Sequence, residues 1–386
     1  MNRRLHLFFP ENDLALVADN PHYTPPDAAL NLHRAGEALP IWYGAPGDMF
    51  LTGGISDKWL RSVESMFDPG IGPYDHTDTR LESAPWGWSK ASRQYFADNG
   101  IVNLPDDNTL NRIRHLSHRR TASEITKKLQ AALPFATTQP AKEVSDPALL
   151  PELVKEYGTI AFKSPWSSSG RGLIIASVSS PQALITQAAG VIRRQGSIMA
   201  EQFYLRKAAD FAMLFESDGN GTFSYSGLSL FNTNDKGAYT GNILTSDSDI
   251  EKRLSGIYPS ENLTALRQAL PSILTQTLGN AYSGPLGIDM MIVYDNDGTP
   301  LLDACVEVNL RMTMGHVANR FYKRFCADGI TGRFEVLPVS PGTTPEPALP
   351  EVCDRKLTGG SLDLVPPGNH FSFRVTVDQE NHLSGH

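Results

Sequence analysis

At 386 residues the chain exceeds what one compact core ordinarily holds, so two or three domains or lobes are expected. Its 40% hydrophobic and 20% charged residues are ordinary for a soluble globular protein, and a formal net charge of -8 excludes a general nucleic-acid binder while leaving room for a local basic pocket. Cys305, Cys326 and Cys353 match neither a disulfide framework nor a zinc pattern, the apolar run after the N-terminus covers only 5–9, and no stretch approaches membrane-span length, so a cytoplasmic protein is expected.

Residues 5–9 read as a buried strand, followed by the polar loop Pro10-Glu11-Asn12-Asp13 and an apolar helix or turn over 14–18. A polar loop after a first strand is a ligand-binding place in open α/β sheets, so Glu11, Asn12 and Asp13 are candidates for substrate contact. The plainer account is a capped helix start. Ala28, Leu32, Ala35 and Leu39 predict a helix over 27–39, and 41–43 read as a short strand. Pro85-Trp86-Gly87-Trp88 is either a substrate-facing loop or a packed corner. A helix over 89–99, stopped at Gly100, and a strand over 101–105 complete what reads as a small α/β domain with a parallel sheet.

Residues 111–120 carry four arginines and two histidines, and a helix over 121–132 follows directly. After a helix over 147–157, the strand 159–163 ends in Lys163. Then come Ser164-Pro165-Trp166-Ser167-Ser168-Ser169-Gly170-Arg171-Gly172 and a second apolar strand, 173–178. This is not a Walker loop, because the lysine precedes the loop and no helix follows. Such a loop can still fold over a triphosphate and offer backbone N–H groups, with Lys163 as a point charge against the phosphates. A flexible hairpin tip with a surface lysine is the plainer account. A basic stretch just before this loop favours anion binding by at least one of its arginines.

A helix over 181–195 precedes a strand over 197–203 in which Glu201 interrupts apolar residues. A short linker, 204–209, leads to Asp210 and a strand over 211–216. The polar loop 232–239 carries Lys236, which is placed to meet phosphate or substrate if it is not simply a surface lysine. Residues 250–279 read as helical, with breaks near Pro259 and Pro271.

Residues 287–311 predict a hairpin. Ile288, Met290 and Ile292 share one face of its first strand, 294–300 is dense turn chemistry, and the second strand runs over 301–308. The start of the first strand and the end of the second lie side by side, so Asp289, Glu307 and Asn309 converge. Two carboxylates and an amide suit a hard cation such as Mg2+; a solvated, polar-ended ribbon is the alternative. Cys305 inside the second strand suits a small core residue. A helix over 317–327, a proline-rich linker over 338–350 and a strand pair within 359–377 end the chain.

Four features stand in one order: an Arg before a helix, a lysine-ended strand with a Gly/Ser loop, a Glu-bearing strand with an acid shortly after, and Asp289 followed by Glu307-x-Asn309-x-Arg311. Over about 119–327 this order resembles the ATP-grasp superfamily, and Glu307 to Arg311 is similar to the E-x-N-x-R ending of carboxylate–amine ligases. The resemblance implies an α/β protein: an N-terminal open parallel-sheet domain (1–110), then a two-lobed ATP-grasp fold with a small lobe carrying the phosphate loop (111–200) and a large lobe carrying the metal site (201–338), then a proline-rich linker and C-terminal strands (339–386). It implies that Lys163 contacts the α- and β-phosphates and that Ser167, Ser168, Ser169, Gly170, Arg171 and Gly172 cover the triphosphate. Glu201, Gln202, Phe203 and Tyr204 would read adenine, and Asp210 would hold the ribose. Asp289, Glu307 and Asn309 would bind two Mg2+ ions, with Mn2+ as a substitute, and Arg311 would stabilise the transferred phosphoryl or an acyl phosphate. Arg119 or Arg120 stands where a lysine is usual, and Leu310 where ligases often have proline.

The implied activity is an ATP-dependent ligase joining a carboxylate to an amine or thiol through an acyl phosphate, with Arg311 and Lys163 catalytic and His316 a candidate base. Its partners would be small molecules, with no nucleic acid and no membrane, in a homodimer by family analogy. A phosphotransferase on the same scaffold and a non-catalytic nucleotide-binding protein are the alternatives.

Overall fold

The computed structural model describes residues 3–78, 80–135, 137–167, 172–234, 237–339, 348–368 and 370–378. Near the N-terminus, β1 (Arg4–Leu7), β2 (Met49–Phe50), β3 (Gly72–Pro73) and β4 (Glu82–Pro85) form a parallel sheet in the order β3-β2-β1-β4. A polar clasp fixes it: Asp48 accepts the backbone N–H groups of Arg4 and Ala45, each at 2.9 Å, and meets His6 Nε2 at 2.9 Å. The parallel sheet is as expected, but two of its predicted strands are not strands. Pro40–Tyr43 is one helical turn, because Pro40 at its start presets a helical φ and a short apolar run has no period to tell helix from strand. Residues 101–105 pair with no strand; Val102 is 74% exposed and Pro105 offers no N–H.

Next come β5 (Lys142–Val144), β6 (Thr159–Lys163), β7 (Leu173–Ser177) and β8 (Ile198–Gln202), an antiparallel sheet in the order β5-β8-β6-β7. The helices Leu150–Tyr157 and Gln182–Gln195 share with it a core of Leu150, Ile160, Phe162, Ile174 and Ile192.

The rest of the strands are β9 (Arg206–Asp218), β10 (Phe223–Thr233), β11 (Tyr239–Leu244), β12 (Ser283–Tyr294), β13 (Pro300–Asn309), β14 (Gly332–Pro338), β15 (Glu351–Cys353), β16 (Lys356–Gly359), β17 (Ser361–Asp363) and β18 (Phe371–Val377). Eight of them form one sheet in the order β13-β12-β9-β10-β11-β14-β18-β17. The expected linker over 204–209 is mostly strand, since β9 begins at Arg206 and pairs with β12. Pro271 does not break the helix Ser260–Leu278; Leu266, Leu270 and Leu274 are buried along one stripe, and that packing outweighs a lost backbone bond worth about 3 kcal/mol.

β12 and β13 form the expected hairpin. Asp295 closes its turn by accepting the N–H groups of Asp297 (3.0 Å) and Thr299 (2.8 Å). Ile288, Met290 and Ile292 pack with Ile125, Leu129 and Leu266, which turns Asp289 and its same-parity neighbours to the opposite face. Cys305 is buried. A third core unites β1 with distant chain: Phe8 and Trp42 pack with Phe321, Phe325, Phe334 and Phe373. The C-terminal strands therefore close the N-terminal sheet's core as well as extending the large sheet.

Candidate active site

Strand register builds the site. Asp289 lies directly opposite Glu307, and Gly287 opposite Asn309. Asn309 Nδ2 donates to Asp289 Oδ2 at 2.9 Å. Burial, reinforced by the charge of Glu307, pushes the Asp289 carboxyl up to about 7, against the pull of Arg311, Asn309 and Arg119. Two facing, partly buried carboxylates with a neighbouring amide oxygen are a donor set for a hard divalent cation, so the residues fit Mg2+. Among the described residues no group of three or more His, Cys, Asp or Glu side chains is arranged to hold a metal, which leaves a two-carboxylate set completed by an amide.

Arg119 bridges this pair to the loop after β6. Its Nη2 lies 3.0 Å from Glu307 Oε2 and 3.3 Å from Ser167 Oγ, and its Nε donates to the Ser164 carbonyl at 3.1 Å. Arg120 turns away to Glu143 at 2.9 Å and is 43% exposed. Of the two arginines the sequence left open, Arg119 is the one at the carboxylates.

Lys163 forms an ion pair with Glu201 across β6 and β8. Asp303 joins them from β13; burial and the charge of Glu201 push its carboxyl up to about 6, while Lys163 pulls it down. Tyr204 belongs to the same cluster, its hydroxyl raised by burial and then by Asp303 and Glu201. Asp303 was not picked out from the sequence, yet a signal was there: Asp303, Glu307 and Asn309 share one parity on one strand.

Gln202 does not face this cluster freely. Its Nε2 donates to the carbonyls of Thr159 (3.1 Å) and Phe203 (3.2 Å), and Phe203 N–H also bonds Thr159, so these two residues tie the end of β8 to β6. Asp210 lies opposite Met291 on β9, diagonal to Asp289, and its carboxylate takes Thr233 Oγ1 at 2.8 Å and an ion pair from Lys207. The loop after β6 closes through Ser164 N–H to the Gly172 carbonyl at 2.9 Å. A Cβ at Gly172 would stand 2.8 Å from Ser164 Cβ, so the close approach demands glycine. Ser168, Ser169, Gly170, Arg171 and Lys236 lie outside the described residues.

Arg311 is partly buried and gripped by Asp13, with Nε–Oδ1 at 3.1 Å and Nη2–Oδ2 at 2.8 Å. The expected helix cap at 11–13 is therefore corrected. Glu11 stands at the N-cap position but its side chain makes no capping bond; it bonds His33 Nδ1 at 2.8 Å instead. Trp86 is a packed corner and also lines the site: it is buried against Phe8, and its carbonyl accepts Met312 N–H at 2.7 Å. His316 is not among the residues that line the cavity. It caps the helix Met314–Phe325 through Thr313, and burial holds its imidazole well below its ordinary pKa.

Asp289, Glu307, Asn309 and Arg311 line a cavity of about 400 Å³. Its other lining residues come from the loop after β1, the helix Asp27–Gly36, β10, β11 and β14. Ser229, Asn242 and Tyr239 are polar residues of this wall that the sequence did not flag; Asn242 Nδ2 donates to Ser229 Oγ at 2.7 Å.

The fold resembles a known architecture. A biotin carboxylase–β-γ-ATP complex from Campylobacter jejuni is similar over 97% of this chain and 87% of its own, at a TM-score of 0.52 and 10% identity. The fold is that of the ATP-grasp enzymes. Two further structures are similar to a lesser degree. N5-carboxyaminoimidazole synthetase from Staphylococcus aureus complexed with ADP has a TM-score of 0.48 and 11% identity, over 98% of this chain and 94% of that one. L-amino acid ligase from Bacillus licheniformis has a TM-score of 0.44 and 13% identity, over 98% and 94%. No protein-family model matches the chain, and no curated protein matches it by sequence. Within the described residues, no helix is long and apolar enough to cross a membrane.

Proposed function

We propose that the chain is an ATP- and Mg2+-dependent ligase that joins a carboxylate to an amine or thiol through an acyl phosphate. The observation that carries this reading is the partly buried Asp289–Glu307 pair with Arg119 on one side and Arg311 on the other, opening into a cavity of about 400 Å³. In this reading 1–110 supplies a substrate wall, 111–200 the phosphate loop, 201–338 the carboxylates, and 339–386 the closing strands. Asp289, Glu307 and Asn309 would hold Mg2+, one ion or two, which neutralises charge on phosphate oxygens.

The chain's own groups do the rest by position and charge. Lys163 and Arg119 place cations against the phosphates, and Ser167 to Gly172 covers them. Glu201 to Tyr204 meets the base, and Asp210 meets the ribose once Lys207 yields. A substrate carboxylate oxygen attacks the γ-phosphorus, the bond to the β-γ bridging oxygen breaks, and ADP leaves. Arg311, held rigid by Asp13, stabilises the acyl phosphate. An amine then attacks the acyl carbon, phosphate leaves with the electron pair, and the amine gives up a proton. Small-molecule substrates, a cytoplasmic setting and a homodimer complete the proposal.

Thermal shift tests it first. ATP with Mg2+ raises the melting temperature of the parent, and Glu307→Ala loses the metal-dependent part of that rise. ADP release that requires both substrates, with a hydroxamate trapped by hydroxylamine, is the expected activity. ADP without hydroxamate identifies a phosphotransferase, a shift without ADP a nucleotide-binding protein, and no shift at millimolar ATP overturns the reading.

A further inference from the structure

Glu11 is 3% exposed and borders the main cavity. One carboxylate oxygen meets His33 Nδ1 at 2.8 Å. The other, Oε2, is buried and has no hydrogen-bond partner among the described residues. A buried carboxylate oxygen without a donor is costly, so a fold that keeps one beside a cavity has a ligand group to receive there.

The surroundings say what that group is. Glu11 is bonded to the helix Asp27–Gly36, which also contributes Ala28, Ala29 and Leu32 to the cavity. Leu14, Trp86, Val336 and Phe371 extend this into an apolar wall. Arg311 is already matched by Asp13 and Glu307 by Arg119, whereas Glu11 Oε2 has no donor among the described residues. A cation with N–H donors satisfies Oε2, and an apolar body satisfies the wall. A volume of about 400 Å³ admits a small molecule only.

We propose that the Glu11 carboxylate binds the primary ammonium group of a substrate whose body is apolar, seated against Leu14, Leu32, Trp86 and Phe371. This rests on the ligase reading for its role, since it names one of the two joined substrates. Two sources offer the same chemistry: a simple aliphatic amine, as the acceptor, or an apolar amino acid, as the carboxylate donor.

Isothermal titration calorimetry on the full chain at pH 7.5 separates them, with hexylamine, hexanol and L-leucine as probes, each with and without ATP and Mg2+. Hexylamine or L-leucine is expected to bind at least about tenfold tighter than hexanol, and Glu11→Gln to abolish that preference. Glu11→Gln keeps the ATP–Mg2+ thermal shift. Binding by hexylamine assigns the ammonium to the acceptor; binding by L-leucine alone assigns it to the donor. Equal binding of hexanol, a preference that survives in Glu11→Gln, or binding of no probe overturns the proposal. If Glu11→Gln does not melt cooperatively, Leu32→Trp takes its place: it fills the cavity, and undiminished hexylamine or L-leucine binding there overturns the proposal as well. Glu11-dependent binding with no ATP–Mg2+ shift would sink the ligase reading and leave the ammonium site standing; an ATP–Mg2+ shift with no amine binding would do the reverse.

Discussion

Arg119 and Arg120 are adjacent in sequence and opposite in role. One reaches Glu307 and the loop after β6, the other a half-exposed Glu143. Under the ligase reading, Arg119→Ala weakens ATP binding by about 1.5–3 kcal/mol, the range for a charged hydrogen bond, while Arg120→Ala stays within about 1 kcal/mol of the parent. ATP titration of both variants measures the difference. His118 offers a second test at this scale. Its Nδ1 accepts the Arg120 N–H at 3.0 Å, which requires a neutral ring, and it is 1% exposed. Burial, helped by the nearby arginines and His115, lowers its pKa to about 3. The unfolded chain takes up the proton first, so the stability held above pH 6.5 is lost as pH falls, by up to about 1.4 kcal/mol per pH unit. Urea unfolding at pH 7.5, 6.0 and 5.0 is expected to show a shallower acid loss in His118→Gln than in the parent.

Where elements meet, one glycine holds the N-terminal sheet against the end of β13. Gly87 bridges to Arg311, and a Cβ there would stand 2.9 Å from Arg311 Cβ and 2.5 Å from buried Asn12 Nδ2. Gly87→Ala is expected to destabilise the fold by about 1–3 kcal/mol and to disturb the Asp13–Arg311 grip, which under the ligase reading lowers turnover beyond what stability explains. Gly53→Ala, whose Cβ would meet nothing closer than 3.9 Å, is the matched control for both melting temperature and ADP release. The element-level expectations that failed share one cause. The turn Pro40–Tyr43 and the unpaired run 101–105 are short apolar stretches, and short stretches lack the period that distinguishes a helix from a strand. The hairpin succeeded because its alternation is long and Asp295 carries explicit turn chemistry.

On the scale of the whole molecule, the ends of the chain share a core. Phe373 from β18 stacks edge-on against Phe8, with ring centroids 5.8 Å apart. Phe373→Ala is expected to cost about 3–5 kcal/mol. It should also lower the melting of the N-terminal sheet, read by hydrogen exchange at Leu5 and Leu7, together with that of the large sheet, read by hydrogen exchange at Phe211 and Phe215. Two separate midpoints would instead show that the C-terminal strands stabilise the large sheet alone.

The sequence by itself determined the hairpin, the meeting of Asp289, Glu307 and Asn309, the lysine-ended strand and the order of motifs that resembles ATP-grasp enzymes. Each of these is a matter of local alternation or of spacing along one strand, which the chain carries without reference to distant residues. Tertiary structure alone decided between Arg119 and Arg120, placed Asp13 on Arg311 across 298 positions, added Asp303 to Lys163 and Glu201, and left Glu11 facing a cavity. Those outcomes depend on how three sheets pack around one space, and no residue's neighbours in sequence encode a charge that arrives from another sheet.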